Sequence, residues 1–414
     1  MLSLIILGLV FILIAVRRVG FIRFRIWQIM LLGALGVMVT GQISLIEAAR
    51  SVNTDVILFL FGVFVIGRAL EESGYLAHLA SRFFGRARNV NILVLAIIFG
   101  MGLLSALLMN DTLAIIGTPV VLALAKKSDV PPKILLLALA FSVTIGSVTS
   151  PIGNPQNLLI AIHGEIANPF VTFFRFLFIP TLVNLLLAYW LLRLFYKKHF
   201  HDQVIAYPEE TITDVNLAKL AKVSLILLVA MVLLKIIIVF MGWGIDLKLT
   251  YIALIAALPV ILLSRKRLDI LRSIDWSTLV FFAAMFVLMA SVWNTGYFQR
   301  AAISLQINFA SNSQIMLAGV LLSQFISNVP LVALYLPVLM DIGGSVGNLM
   351  ALAAGSTIAG NLTILGAASN VIIIQQAEKN QGVTLTLWDF VRVGVPLTIL
   401  NTAVYWLFLA LTSR

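Results

Sequence analysis

Gly146-Ser147-Val148-Thr149-Ser150-Pro151-Ile152-Gly153-Asn154-Pro155-Gln156-Asn157 follows an apolar run that begins at residue 133. The run reads as a helix, but the stretch after it cannot remain one. Pro151 and Pro155 lack the backbone donor and clash with the preceding turn, and the glycines raise the entropic cost of helix. Residues 133–163 therefore read as one helix broken midway. Residues 346–376 do the same, running into Ala359-Gly360-Asn361-Leu362-Thr363-Ile364-Leu365-Gly366-Ala367-Ala368-Ser369-Asn370. In lipid such unwound backbone is tolerated only where it is buried in protein or lines a wet cavity.

Composition makes lipid the solvent. Hydrophobic residues make up 61% of 414 positions and charged residues 11%, too little polar surface to wrap a water-soluble globule. Apolar windows near 2–16, 26–42, 52–70, 173–196, 219–241, 249–264, 277–293 and 390–411 suit spanning helices. Segments 90–126 and 313–341 are long apolar runs interrupted by Asn110-Asp111-Thr112 and by Ser327-Asn328-Val329-Pro330, and each reads as a re-entrant hairpin. The expected fold is all-α and polytopic, with about 10 spans plus 2 hairpins.

The chain also matches itself. At an offset of 218, Leu104, Ser105, Asn110, Leu113, Pro119 and Val120 meet identical residues at Leu322, Ser323, Asn328, Leu331, Pro337 and Val338. At 213, Thr144, Gly153 and Asn157 meet Thr357, Gly366 and Asn370; at 222, Gly74 and Tyr75 meet Gly296 and Tyr297. Three offsets in one order mark an internal repeat. The reading divides the chain into N-terminal scaffold spans at 1–51, a first repeat at 52–196, a linker at 197–218, and a second half at 219–414. Five crossings separate residue 52 from its partner near 277, and an odd number inverts the halves.

Charge gives the same answer. The net charge of +11 arises because basic residues crowd alternate loops, among them Arg17 and Arg18, Arg86 and Arg88, Lys126 and Lys127, Lys197 and Lys198, and Arg265 to Arg267. These are cytoplasmic by the positive-inside rule, so the excess needs no nucleic acid partner. Both termini are then expected outside, in a multi-pass cell-membrane protein. Absence of cysteine excludes disulfides, thiolate metal sites and cysteine nucleophiles, and no motif for a catalytic metal or acid pair occurs, so no enzyme and no cofactor are expected.

Inverted repeats with discontinuous helices are the architecture of secondary transporters, with the site where the repeats meet. Helix N-termini there attract anions, and loose carbonyls bind cations. The candidate residues are Asn110, Asp111, Thr112, Thr149, Ser150, Gly153, Asn154 and Asn157 in the first half, and Ser327, Asn328, Thr357, Asn361, Thr363, Gly366, Ser369 and Asn370 in the second. The alternative for each is close helix packing. Asp111, whose repeat partner is Val329, is an ionisable residue at membrane depth. With Asn110, Asn328 and Asn361 it forms the expected site for a sodium ion or proton, the alternative being a capping role. The segments Tyr75 to Asn89 and Tyr297 to Asn312 read as interfacial amphipathic arms before the hairpins.

These motifs resemble the ion transporter superfamily of arsenite permeases, NhaD-type sodium/proton antiporters and divalent-anion/sodium symporters. The carrying residues are Asn110-Asp111-Thr112 with Pro119, Ile152 to Asn157, Ser327 to Pro330 with Pro337, and Gly360 to Asn370. Dicarboxylate symporters repeat Ser-Asn-Thr at both tips, which this chain does not, and the resemblance runs nearest the arsenite-permease-like anion branch. It implies a homodimer with a fixed scaffold, a moving transport body and an elevator-like cycle. The expected function is secondary transport of a small anion or oxyacid (arsenite-like, inorganic or carboxylate) driven by a proton or sodium gradient. The alternative is sodium/proton antiport of the NhaD type.

Overall fold

The computed structural model describes residues 2–16, 18–19, 22–75, 78–79, 84, 87, 89–128, 130–200, 212–243, 245–297 and 311–412. Most of both expected amphipathic arms, and of the linker after residue 200, lies outside them.

The described residues form eighteen α-helices, three short 3-10 turns and one minimal hairpin. α1 (Leu2–Val16) and α2 (Ile26–Val39) are joined by β1 (Arg18–Val19) and β2 (Ile22–Arg23), strands of two residues each. α3 (Leu45–Ser51) then bends by 53° into α4 (Thr54–Glu72). The first hairpin is α5 (Val90–Leu108) and α6 (Asn110–Ser128); the first broken helix is α7 (Pro132–Ser147) and α8 (Pro155–His163); α9 (Pro169–Phe195) closes the half. The second half repeats the order: α10 (Val215–Phe240), α11 (Leu249–Leu263), α12 (Arg267–Ser273), α13 (Trp276–Trp293), the hairpin α14 (Asn312–Ile326) and α15 (Asn328–Asp341), the broken helix α16 (Val346–Ile358) and α17 (Ala368–Gln381), and α18 (Leu387–Thr412).

Starts are set by local chemistry. Asn53, Asn89, Asn154, Asn168, Asp214 and Asp275 each accept the N–H three residues on, which satisfies a donor the first turn otherwise leaves free. Five helices, α5, α9, α10, α13 and α18, are long and apolar enough to cross a membrane alone, and α3 with α4 forms a sixth, bent candidate. α5 is a hairpin arm, so length alone does not tell an arm from a span.

The repeat extends to elements too short for a span window. α3 and α12 lie 222 residues apart at both bounds, with Glu47 facing Asp269, Arg50 facing Arg272 and Ser51 facing Ser273 in register. Packing is exchanged between the halves: α4 packs on α11 as α13 packs on α2, and α6 packs on α17 as α15 packs on α8. The two inverted repeats therefore interlock at their hairpins and broken helices, the part of the chain with the most continuous burial, from Ile134 to Ile160 and from Gly347 to Asn361.

Each hairpin turns on a single residue. Met109 lies at φ 65°, ψ 142° between α5 and α6, and Ser327 at φ 66°, ψ 159° between α14 and α15. The two are 218 residues apart, the offset of the hairpins themselves. The polar triplet that the sequence marks as the first interruption lies one step further on, Asn110-Asp111-Thr112 being the first turn of α6, whereas the second interruption begins on the turn residue Ser327 itself. Side chains at such a φ cost about 1–3 kcal/mol and persist where the surroundings dictate them.

Candidate functional site

The first tip docks on the first break. The Asn110 backbone N–H donates to the Gly153 carbonyl at 2.9 Å, and the Asn110 Oδ1 accepts the Asp111 N–H at 3.0 Å. A Cβ on Gly153 would stand 2.2 Å from the Ser147 carbonyl oxygen, and one on its counterpart Gly366 would stand 2.6 Å from that of Ala359. Both breaks fold back on the end of their own first half, and only glycine fits there.

An asparagine clasps each break at the same repeat position. Asn157 Nδ2 lies 3.1 Å from the Ser147 carbonyl, 3.3 Å from Val148 and 3.1 Å from Ser150. Asn370 Nδ2 donates to Gly360 at 2.6 Å, with Thr363 at 3.5 Å. These amides satisfy the carbonyls that the end of a helix leaves free.

The breaks also reach across to each other. Thr357 of α16 accepts from Asn154 Nδ2 at 3.2 Å and Gln156 Nε2 at 3.3 Å. The repeat partner, Thr144 of α7, brings its methyl group to Gly360, where a Cβ would lie 3.2 Å away. The expected meeting of two backbone interruptions is what the structure contains.

The breaks differ in what they leave free. In the first, Asn154 Oδ1 caps α8, the Thr149 hydroxyl donates to the Gly146 carbonyl, and the Ser150 Oγ accepts the Ile152 N–H. The second break keeps polar atoms that are not consumed, at positions other than these. Asn361 Oδ1, Ser369 Oγ and Asn370 Oδ1 of the break and Asn328 Oδ1 of the second tip are buried without a hydrogen-bond partner, as is Thr144 Oγ1 of α7 in the first half. The N-caps of α15 and α17, Ser327 and Ala367, supply no side-chain bond, so the first N–H groups there stay available. Ser327 itself is half-buried.

Other expected residues are placed elsewhere. The methyl of Thr112 packs on α4, 2.8 Å from where a Cβ of Gly67 would stand, so it faces the neighbouring span. Thr363 donates to Gln324 Oε1 at 3.0 Å. The Asp111 carboxylate, in the first turn of α6, has no hydrogen bond or ion pair with any described residue. Among Asn110, Asp111, Asn328 and Asn361, the hydrogen bond the structure contains is that from the Asp111 N–H to Asn110 Oδ1, and none links the two halves' members.

Sequence reasoning missed two residues. Gln324 ties the second hairpin to the second break, donating to the Ala359 carbonyl at 2.8 Å. Asn401 of α18 accepts from Asn361 Nδ2 at 3.3 Å. Offset comparison holds a signal for each: Gln324 stands where the first half has Ala106, and Asn401 matches Asn184, which is also fully buried. No described basic side chain enters either break. Lys235 donates instead to the Leu247 carbonyl at 2.8 Å.

Comparison with known proteins bears on the fold and the family. The crystal structure of the YdaH transporter of Alcanivorax borkumensis superposes with a TM-score of 0.60 at 16% identity, over 99% of this chain and 96% of that one. Among curated proteins, the silicon efflux transporter LSI3 of Oryza sativa is 27% identical, over 90% of both chains. The 46 kDa membrane protein of Mycobacterium leprae is 26% identical, over 86% of both. The human P protein is 25% identical over 87% of this chain and 54% of its own length. The family model described as citrate transporter matches residues 9–348. The chain belongs to that citrate transporter family, and is a multi-pass membrane protein and secondary transporter of the anion-permease type.

Proposed function

We propose that this chain moves a small oxygen-rich solute, a carboxylate such as citrate or an oxyacid, against its gradient by coupling to sodium or protons. The observation that carries this is the second break. It leaves the α17 N-terminus uncapped in a segment whose amide and hydroxyl oxygens have no protein partner, and the N-terminus of α15 at the second hairpin tip is uncapped too. N–H groups suit the oxygens of an anion, and free oxygens suit a coupling cation or the hydroxyls of an undissociated acid. Each buried polar atom left unpaired costs about 1–3 kcal/mol, which a ligand offsets. The family description supports a carboxylate, and the relative named for silicon efflux extends the class to neutral oxyacids and inorganic anions. Asp111 holds the proton or sodium ion in this reading, with Asn110, Asn328 and Asn361 nearby in the cycle.

The cycle is of the elevator type. α5–α9 with α14–α18 form the moving body, and α1–α4 with α10–α13 form the scaffold of a homodimer in the cell membrane, both termini outside. Labelled citrate flux in proteoliposomes under imposed sodium or pH gradients tests this, with arsenite and sulfate as alternatives. Flux abolished by Asp111→Asn supports the reading. Free Asn oxygens also favour the rival, sodium/proton antiport. A cation-driven pH change with no added anion, and no flux of any of the three solutes, would establish it.

A further inference from the structure

A polar cavity of about 510 Å³ lies outside the breaks, at the corner between α3 and α4. Arg50, Asn53 and Thr54 line its α3–α4 side, and His163, the last residue of α8, closes it. We propose that this vestibule is a reception site for a small carboxylate, held by Arg50, Asn53 and His163 before it passes to the breaks; the inference rests on the transport reading above.

Three observations carry it. First, the acid in the lining is already engaged while its arginine is not ion-paired. Asp55, the acid in the lining, is taken by Lys248 Nζ at 3.4 Å and by the Thr250 hydroxyl at 2.9 Å. Arg50 makes no ion pair among the described residues.

Second, the donors have fixed directions. Asn53 Oδ1 is committed to the Val56 N–H at 2.8 Å as the cap of α4, so Nδ2 must point the other way. It does, toward His163 Nε2 at 2.8 Å. An amide N–H₂ donates, so Nε2 accepts, and His163 is neutral in this arrangement. Protonation sets two donors against each other and frees both for an anion. The charged groups around the ring are Arg50 and Glu47 of α3, Asp55 of α4, Lys248 before α11 and Glu165 after α8.

Third, the site is close to the break. α8 has nine residues, about 13 Å of helix at 1.5 Å per residue, between His163 and the Asn154 cap. Asn53 belongs to the proposed scaffold and His163 to the moving body, so an anion seated here spans the junction that has to slide.

Calorimetric titration of citrate into the full-length protein in nanodiscs tests the assignment. Two classes of site are expected, the weaker being the vestibule. Arg50→Ala and His163→Gln each remove the weaker class, retain the stronger, and lower kcat/KM for uptake by about tenfold with kcat kept, the low end for a charge-assisted hydrogen bond. Acidification tightens the weaker class in the native chain and not in His163→Gln. A single class indifferent to both substitutions overturns the inference while leaving the transport reading intact. A vestibule class without citrate flux would do the reverse.

Discussion

Replacing Asn157 by leucine should damage the fold more than transport, and the same change at Asn370 should do the opposite. The Asn157 amide carries two N–H groups and faces three buried carbonyls, at 3.1, 3.3 and 3.1 Å. Leucine removes both of these bonds and the longer one that Asn157 Oδ1 accepts from the Thr357 hydroxyl at 3.4 Å, and leaves carbonyls unpaired, a loss of about 3 kcal/mol at roughly 1–1.5 kcal/mol per bond. Asn370 makes one short bond, at 2.6 Å, and one long contact at 3.5 Å, so its stability cost is about half as large. Unfolding entropy of about 2 cal/mol/K per residue, over 414 residues, converts each kcal/mol to about 1 °C. Thermal melting in nanodiscs should then fall by about 3 °C for Asn157→Leu and about 1–2 °C for Asn370→Leu. Flux per folded molecule should fall further in Asn370→Leu, which loses an oxygen with no other partner. Equal melting shifts, or unimpaired flux in Asn370→Leu, would refute the division between a filled and an open break.

Three further outcomes are expected. At the hairpin turn, Met109→Val places a β-branched residue at φ 65° and should lower stability by about 1–3 kcal/mol, whereas Met109→Gly should not; chemical denaturation in lipid separates them. At the membrane surface, the Leu217 N–H first and Lys266, 3.0 Å away, second hold the Asp214 carboxyl below its usual range. The folded-state pKa is depressed, so this stabilisation is present above about pH 4 and is lost as pH falls through the lowered value. Melting of Asp214→Asn should accordingly lie below that of the native chain at neutral pH and converge with it in acid. Because the chain has no cysteine, the pair Gly67→Cys and Thr112→Cys offers a clean crosslink between α4 and α6; oxidation should arrest flux and reduction restore it, and continued flux in the crosslinked form would count against a sliding body.

Much of this fold was legible because lipid makes the pattern strict. Apolar length located α1, α4 and α13 to within a few residues, and proline with glycine located both breaks. What escaped has a physical reason in each case. α3 and α12 are seven residues long with mixed charge, so no span window registers them. The triplet Asn110-Asp111-Thr112 read as an interruption because the first turn of a helix is where polar and acidic residues are favoured; the actual turn is apolar Met109. At the site, residue type marked which asparagines belong to the breaks. It could not say which amide is spent on carbonyls and which keeps a free oxygen, since Asn157 and Asn370 are the same residue at the same repeat position. Gln324 and Asn401 were hidden for a simpler reason: each sits within an otherwise helical run and acquires its role only through an element far along the chain.

A reversal made by one residue has no slack. Met109 and Ser327 join helices that continue up to them on both sides, so neither tip can loosen like a loop lid to uncover what lies beneath. Whatever exposes the centre to water has to carry whole arms with it, and the work of opening is set by helix faces parting rather than by chain fraying.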